Sequence, residues 1–150
     1  MIEIERLQKN LTLLRHTANW SVQEFADMLG VTRQTINNLE KVNQPTKMSK
    51  IQYLAIRSCF SYEIEHNDNQ VLKHLLYCIV DHPENITDED RKLISQQAKI
   101  ISSAIKGGSS NKEVNEYWMH MLAMAGATIL PIVIEASLPW IESIMKKNRK

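Results

Sequence analysis

Arg33, Gln34 and Asn38 are the residues of this chain best suited to chemistry. A guanidinium carries a rigid fork of donors, and a side-chain amide both donates and accepts. The fork can donate two bonds to guanine O6 and N7, and an amide can pair with adenine N6 and N7. Gln34 and Asn38 are four apart, so on a helix they stand on the same side one turn apart. Thr32 precedes them as a good helix cap. Ile36 and Leu39 are apolar at i, i+3 spacing and turn inward, leaving Arg33, Gln34, Thr35, Asn37 and Asn38 outside. The pattern is a short helix with one apolar face and one face of hydrogen-bonding side chains.

The elements that position this helix are legible on both sides. Ser21 and Glu24 have the spacing of a capping box, and Trp20 and Phe25 that of a hydrophobic staple. Phe25, Met28 and Leu29 then share a face, and Ala26 is small enough for a neighbouring helix to approach. Gly30 follows Leu29, where a chain leaving a helix commonly needs positive φ. Val31 can plug the angle between two helices. Helix, glycine turn and helix is an arrangement that carries the second helix into the major groove of DNA. Upstream, Ile4, Leu7, Leu11 and Leu14 predict one amphipathic helix over residues 3–17. Downstream, Pro45 and Thr46 begin a fourth helix with an apolar stripe of Met48, Ile51, Leu54, Ala55 and Ile56, closed by Phe60.

With these residues in place, residues 4–60 resemble the Xre/Cro-like (lambda-repressor-like) helix-turn-helix family, the DNA-binding module of many phage repressors and bacterial regulators. The resemblance rests on Leu11, Leu14 and Arg15, then Ser21, Glu24, Phe25-Ala26, Leu29-Gly30-Val31, Arg33-Gln34-Thr35-Ile36 and Leu39-Glu40, with Pro45 and the helix after it. It implies a four-to-five-helix all-α domain. It also implies a partly buried ion pair between Arg15 and Glu40, tying the first helix to the end of the recognition helix. Thr32, Arg33, Gln34 and Asn38 become the base-reading candidates. Thr35 and Asn37 could read bases or touch backbone. Gln23, Lys41, Lys47 and the N-terminal amides of the second helix suit phosphate, since amides at a helix start favour an anion. One departure stands out: Val42 lies near a place where the family often has glycine, which leaves the shape of the loop over residues 41–46 open.

Composition sets wider bounds. The chain of 150 residues is 43% apolar, ordinary for a folded soluble protein, and has four glycines and four prolines. Scattered β-branched residues point to an all-α chain. The net charge of +1 hides an asymmetry: residues 1–60 hold eight Lys/Arg against five Asp/Glu, residues 61–112 six against eight, and residues 113–150 four against four. The cationic surplus sits on the segment that would meet phosphate. Cys59 and Cys78 lie among apolar residues and read as reduced core thiols. His16, His66, His74, His82 and His120 show no metal-ligand spacing. No catalytic residue, cofactor or metal is expected, and the absence of a secretory signal pattern places the protein in the cytoplasm.

The remaining chain reads as helical. The polar stretch over residues 61–69 marks a boundary or a short extra turn, dividing residues 1–62 from a helical dimerisation or regulatory region over residues 69–147. A helix follows over residues 70–81, stopped by Pro83. Another begins at Thr87 with acids in its first turn and breaks at Gly107-Gly108. Ser110 to Glu113 has capping-box spacing and opens a further helix. Residues 118–140, between Trp118 and Trp140, are long enough to cross a bilayer, with tryptophan at both ends. Pro131, Pro139, Glu135 and His120 oppose that reading, because a mid-bilayer carboxylate is costly. Two helices meeting near Pro131, buried against each other or against the same region of a second subunit, explain the stretch better; a membrane span stays open as the lesser reading.

Together these features predict a sequence-specific, double-stranded-DNA-binding transcriptional regulator. It would be a repressor, working as a homodimer through its C-terminal helices on an inverted repeat. Two rivals remain. One is a protein-interaction module, an antirepressor or inhibitor of mobile-element origin that keeps the helix-turn-helix as scaffold. The other is a membrane-tethered helix-turn-helix regulator.

Overall fold

The computed structural model describes residues 2–106, Gly108, Glu113, residues 116–118 and His120. Among them the architecture is all-α, with no strand. The elements are α1 (Ile2–Lys9), α2 (Leu11–Thr17), α3 (Val22–Leu29), α4 (Arg33–Glu40), α5 (Lys50–Asn67), α6 (Gln70–Leu75) and α7 (Asp88–Lys106). A π-helical segment, Leu76–Asp81, continues α6, and a 3-10 turn, Pro83–Asn85, leads toward α7.

The first amphipathic stretch is two helices rather than one. Asn10 interrupts it: its side-chain amide donates to Arg6 O at 2.8 Å, and its backbone N–H donates to both Arg6 O and Leu7 O. A side chain competing for a backbone carbonyl is what makes asparagine a poor interior helix residue. The inward face survives the break, since Leu7, Leu11 and Leu14 are all fully buried. α2 ends at Thr17, and Asn19, just past its cap Ala18, takes a left-handed φ of 63°.

α3 and α4 are set by their caps. Ser21 and Glu24 form both bonds of the capping box at 3.0 and 3.2 Å. Trp20 stacks on Phe25 at 5.4 Å and on Phe60 at 5.3 Å, so the staple also anchors α5. Gly30 adopts φ 70° and ψ 30°, and its N–H donates back into α3. A Cβ at that φ would be strained, which is the physical reason for glycine there. Met28 does not join the core face; it is 47% exposed.

α5 begins at Lys50, not at Pro45. Ser49 and Gln52 make a complete capping box, at 3.1 and 2.9 Å, and this stronger start signal outcompetes Pro45-Thr46. The inward stripe of α5 is accordingly Tyr53, Ile56 and Phe60, while Ile51 is 81% exposed. The helix runs on to Asn67, so most of the polar stretch 61–69 is helical.

Beyond α5 the core is continuous with the N-terminal one: Val71, Leu72, Leu75 and residues 76–80 pack with Leu7, Leu11 and Leu14 in one apolar cluster. Buried Asn69 joins the halves, donating to Thr17 O at 3.0 Å and accepting from Leu72 N at 3.1 Å. The helix expected over 70–81 changes at Leu76 to the wider π winding, closed by His82 N donating to Tyr77 O at 2.8 Å. Arg6 Nε donates to Val80 O at 2.7 Å, and Arg57 grips Asp81 through two bonds at 2.9 and 3.0 Å. Cys59 is only half-buried, unlike Cys78. Burial raises the Cys59 thiol and, with a smaller effect from Asp90, pushes Cys78 up to about 12. Both are therefore poor nucleophiles. Residues 118–140, apart from Trp118 and His120, and most of the segment after Lys106 lie outside the described residues.

His74 is fully buried against Trp118, with ring centroids 6.1 Å apart. Its Nδ1 donates to Gln70 O at 2.6 Å. Loss of solvation lowers its pKa from the usual 6.5, outweighing the hydrogen bond to Gln70, and Lys73 lowers it further. Burial thus favours the neutral ring in the folded state. Unfolding releases an imidazole that protonates more readily, so its contribution to stability is intact above pH 6.5 and erodes as pH falls below it. Urea unfolding at pH 7.5 and 5.5 should show a smaller stability loss for His74→Leu than for the unsubstituted chain. Equal losses would show that His74 does not titrate on unfolding.

Candidate nucleic-acid interface

Four of the residues singled out for base reading lie on α4 or its cap. Thr32 Oγ1 accepts from Thr35 N at 3.3 Å and lies 3.0 Å from the Thr35 hydroxyl. Arg33 and Gln34 are exposed, as is Asn37; Thr35 and Asn38 are half-buried. Gln34 Nε2 donates to Asn38 Oδ1 at 2.9 Å. That bond joins two amides one helical turn apart and engages neither the Gln34 oxygen nor the Asn38 nitrogen. Beneath, Ile36 and Leu39 are buried in the core.

Arg15 and Glu40 form the frame. Arg15 Nε and Nη2 reach the two carboxylate oxygens of Glu40 at 2.8 and 3.0 Å, a fork-to-fork pair. Both side chains are close to buried, at 8% and 10% exposed. Further bonds hold the pair: Arg15 Nη1 donates to Trp20 O at 2.9 Å, Arg15 Nη2 lies 3.3 Å from His16 Nε2, and Thr12 Oγ1 donates to Glu40 Oε1 at 2.9 Å. One guanidinium thereby connects α2, the entry to α3 and the end of α4.

Gln8 holds the loop after α4. Its Nε2 donates to Leu39 O at 3.2 Å and Thr46 O at 2.6 Å, and its Oε1 accepts from Met48 N at 2.9 Å. Thr46 N donates to Asn38 O at 3.0 Å. The positive φ of the loop falls on Gln44, at 50°, while Val42 is 95% exposed. The turn that glycine would ease near residue 42 is thus made two residues later. Lys41 and Lys47 flank this loop and are exposed. Gln23 is exposed at the start of α3, but its amide donates to Asp27 Oδ1 at 2.8 Å, so a phosphate there must displace a carboxylate.

Sequence reading missed Gln8 and Thr12. The signal was present: Gln8, Thr12 and Arg15 follow the 4, 3 spacing of a second, polar stripe beside the apolar one. Among the described residues no group of His, Cys, Asp and Glu could hold a metal ion. No described helix is long and apolar enough to cross a membrane.

A glycine-turned helix pair, with a capped second helix showing polar side chains above a bidentate ion pair, is a helix-turn-helix. Residues 2–46 match the family described as Helix-turn-helix, and this N-terminal domain is of the Xre/lambda-repressor-like type. That family binds DNA and is not an enzymatic one. No curated protein and no solved structure matches the chain. The N-terminal domain therefore supports a DNA-binding regulator in general terms.

Cutting one partner of a buried pair strands the other charge, which typically costs about 3–5 kcal/mol. Glu40→Ala is expected to lose stability of that order in urea unfolding. The double variant Arg15→Met/Glu40→Ala should recover much of it. A Glu40→Ala chain as stable as the parent would remove the pair from its structural role.

Proposed function

We propose that this protein is a sequence-specific transcriptional repressor that reads an inverted repeat as a homodimer, with Arg33, Gln34, Asn38 and Thr32 meeting base edges. The observation that carries this reading is the outer face of α4: two exposed donors at its N-terminal end, Arg33 and Gln34, on a helix fixed by the Arg15–Glu40 pair. A recognition helix of this kind enters the groove with its N-terminal residues foremost. Arg33 suits guanine, because its fork matches O6 and N7. The bonded amides of Gln34 and Asn38 suit adenine, and the bond between them limits the rotamers to be ordered on binding.

Lys41 and Lys47 supply phosphate contacts on either side of the loop held by Gln8, with Thr35 and Asn37 near the backbone or the next base. Two such heads, held by the helical region over residues 69–147, would place recognition helices in successive major grooves, ~34 Å apart. Occupying that site blocks polymerase. The apolar residues between Trp118 and Trp140 are the part of the sequence best suited to hold two subunits together.

Selection of bound duplexes from random DNA tests binding, specificity and symmetry at once. Enrichment of an inverted repeat supports the reading; enrichment of nothing rejects it. On the selected duplex, Arg33→Ala and Gln34→Ala should each flatten preference at one position per half-site, by about 1–3 kcal/mol. Lys41→Ala should instead weaken all sequences alike and reduce the salt dependence by about one counterion. Equal losses for Arg33→Ala on selected and random duplexes would mean that Arg33 does not read a base.

A further inference from the structure

Two grooves adjoin along α1 and α7: one of about 860 Å³, bounded also by α2, the end of α4 and the loop after it, and one of about 550 Å³ between α1, the segment around Pro83 and α7. Both are lined by Lys9, Asn10, Ser95 and Lys99, so they form one continuous cleft. Its smaller end is strongly cationic. Arg6 and Lys9 line it from the α1 side, and Arg91, Lys92 and Lys99 from α7, against the carboxylate of Asp88. Asp88 is paired with Arg91 in the same turn of helix, which leaves the other four cations in excess. Lys9, Lys92 and Lys99 are exposed. Arg6 is held by its bond to Val80 O, and Arg91 Nη1 donates to Pro83 O at 2.8 Å, so two of the cations are fixed rather than free to swing away.

We propose that this cleft binds a small polyanion, a molecule carrying phosphates or several carboxylates, that bridges α1 and α7. Like charges brought together from two elements repel, and an anion lying between them turns that repulsion into attraction. The concave shape and volume suit a small molecule, whose sites commonly span about 300–1,000 Å³. A duplex backbone needs a long cationic track, whereas the cations at this end are gathered on two facing helices, α1 and α7. Asn10 and Ser95, at the junction of the two ends, supply neutral polar groups that orient a ligand. The larger end of the cleft meets the helix-turn-helix at Leu39, Glu40 and Lys41, the last a proposed phosphate contact, whereas no residue of α3, α4 or the loop after α4 lines the cationic end. The site is therefore separate from the base-reading face, and its occupancy does not depend on the proposed operator.

The test is calorimetric titration of the full chain with inorganic pyrophosphate and, separately, citrate, at constant ionic strength maintained with sodium chloride. Saturable one-to-one binding of either anion is expected, and the tighter of the two identifies the anionic group. Lys92→Ala/Lys99→Ala should weaken that binding about tenfold or more, the size of one charge-assisted contact. Arg33→Ala should leave it unchanged. Absence of saturable binding to both anions overturns the proposal, as does an equal loss in Arg33→Ala. A Lys92→Ala/Lys99→Ala chain that loses DNA affinity as steeply as anion affinity would reassign the cleft to the nucleic-acid path.

Discussion

The Arg15–Glu40 pair is the interaction on which the presentation of α4 depends. A recognition helix of eight residues has too few turns to hold its own orientation. Ile36 and Leu39 fix its depth, because both are buried in the core. Apolar contacts are not directional, however, and two inward side chains allow the helix to roll. The fork-to-fork geometry at 2.8 and 3.0 Å removes that freedom at the C-terminal end of α4. Thr12, His16 and the carbonyl of Trp20 add hydrogen bonds around the pair, which offset the solvation it loses on burial.

Gln8 extends the same logic to the loop. Three bonds from one amide replace the backbone freedom that a glycine would otherwise supply, and they keep Lys41 and Lys47 on a fixed path. Gln8, Thr12 and Arg15 together form a polar seam along α1 and α2. The apolar stripe on the same helices builds the core, and the seam aims what is docked on it. Aromatic stacking of Trp20 on Phe25 and Phe60 then couples the α3 entry to α5.

How far the sequence revealed this depended on the range of the interaction. Caps were legible because their partners are three residues apart: Ser21 with Glu24, and Thr32 with Thr35 N. The glycine turn at Gly30 was legible for the same reason. The Arg15–Glu40 pair came from family resemblance, since nothing local links residues 25 apart. Asn10 was missed as a break because the apolar spacing continues unbroken through it. Pro45 drew the start of α5 too early because a proline is a strong local signal, yet the Ser49–Gln52 box stood in the same stretch and won. Arg57 with Asp81, and Asn69 with Thr17, join positions far apart in sequence. They became visible only once α5 and α6 were packed. The change to π winding at Leu76 had no signal in the apolar pattern, since residues 76–80 are buried throughout.

Dimethyl sulfate protection of a selected duplex probes the central claim most directly, because it reports guanine N7 in the major groove. A chain that inserts the outer face of α4 should protect defined guanines in each half-site, and Arg33→Ala should lose protection at one of them while the backbone footprint remains. A footprint on the backbone with every guanine N7 still reactive would contradict insertion of α4. The frame held by Arg15 and Glu40 would then serve some other surface.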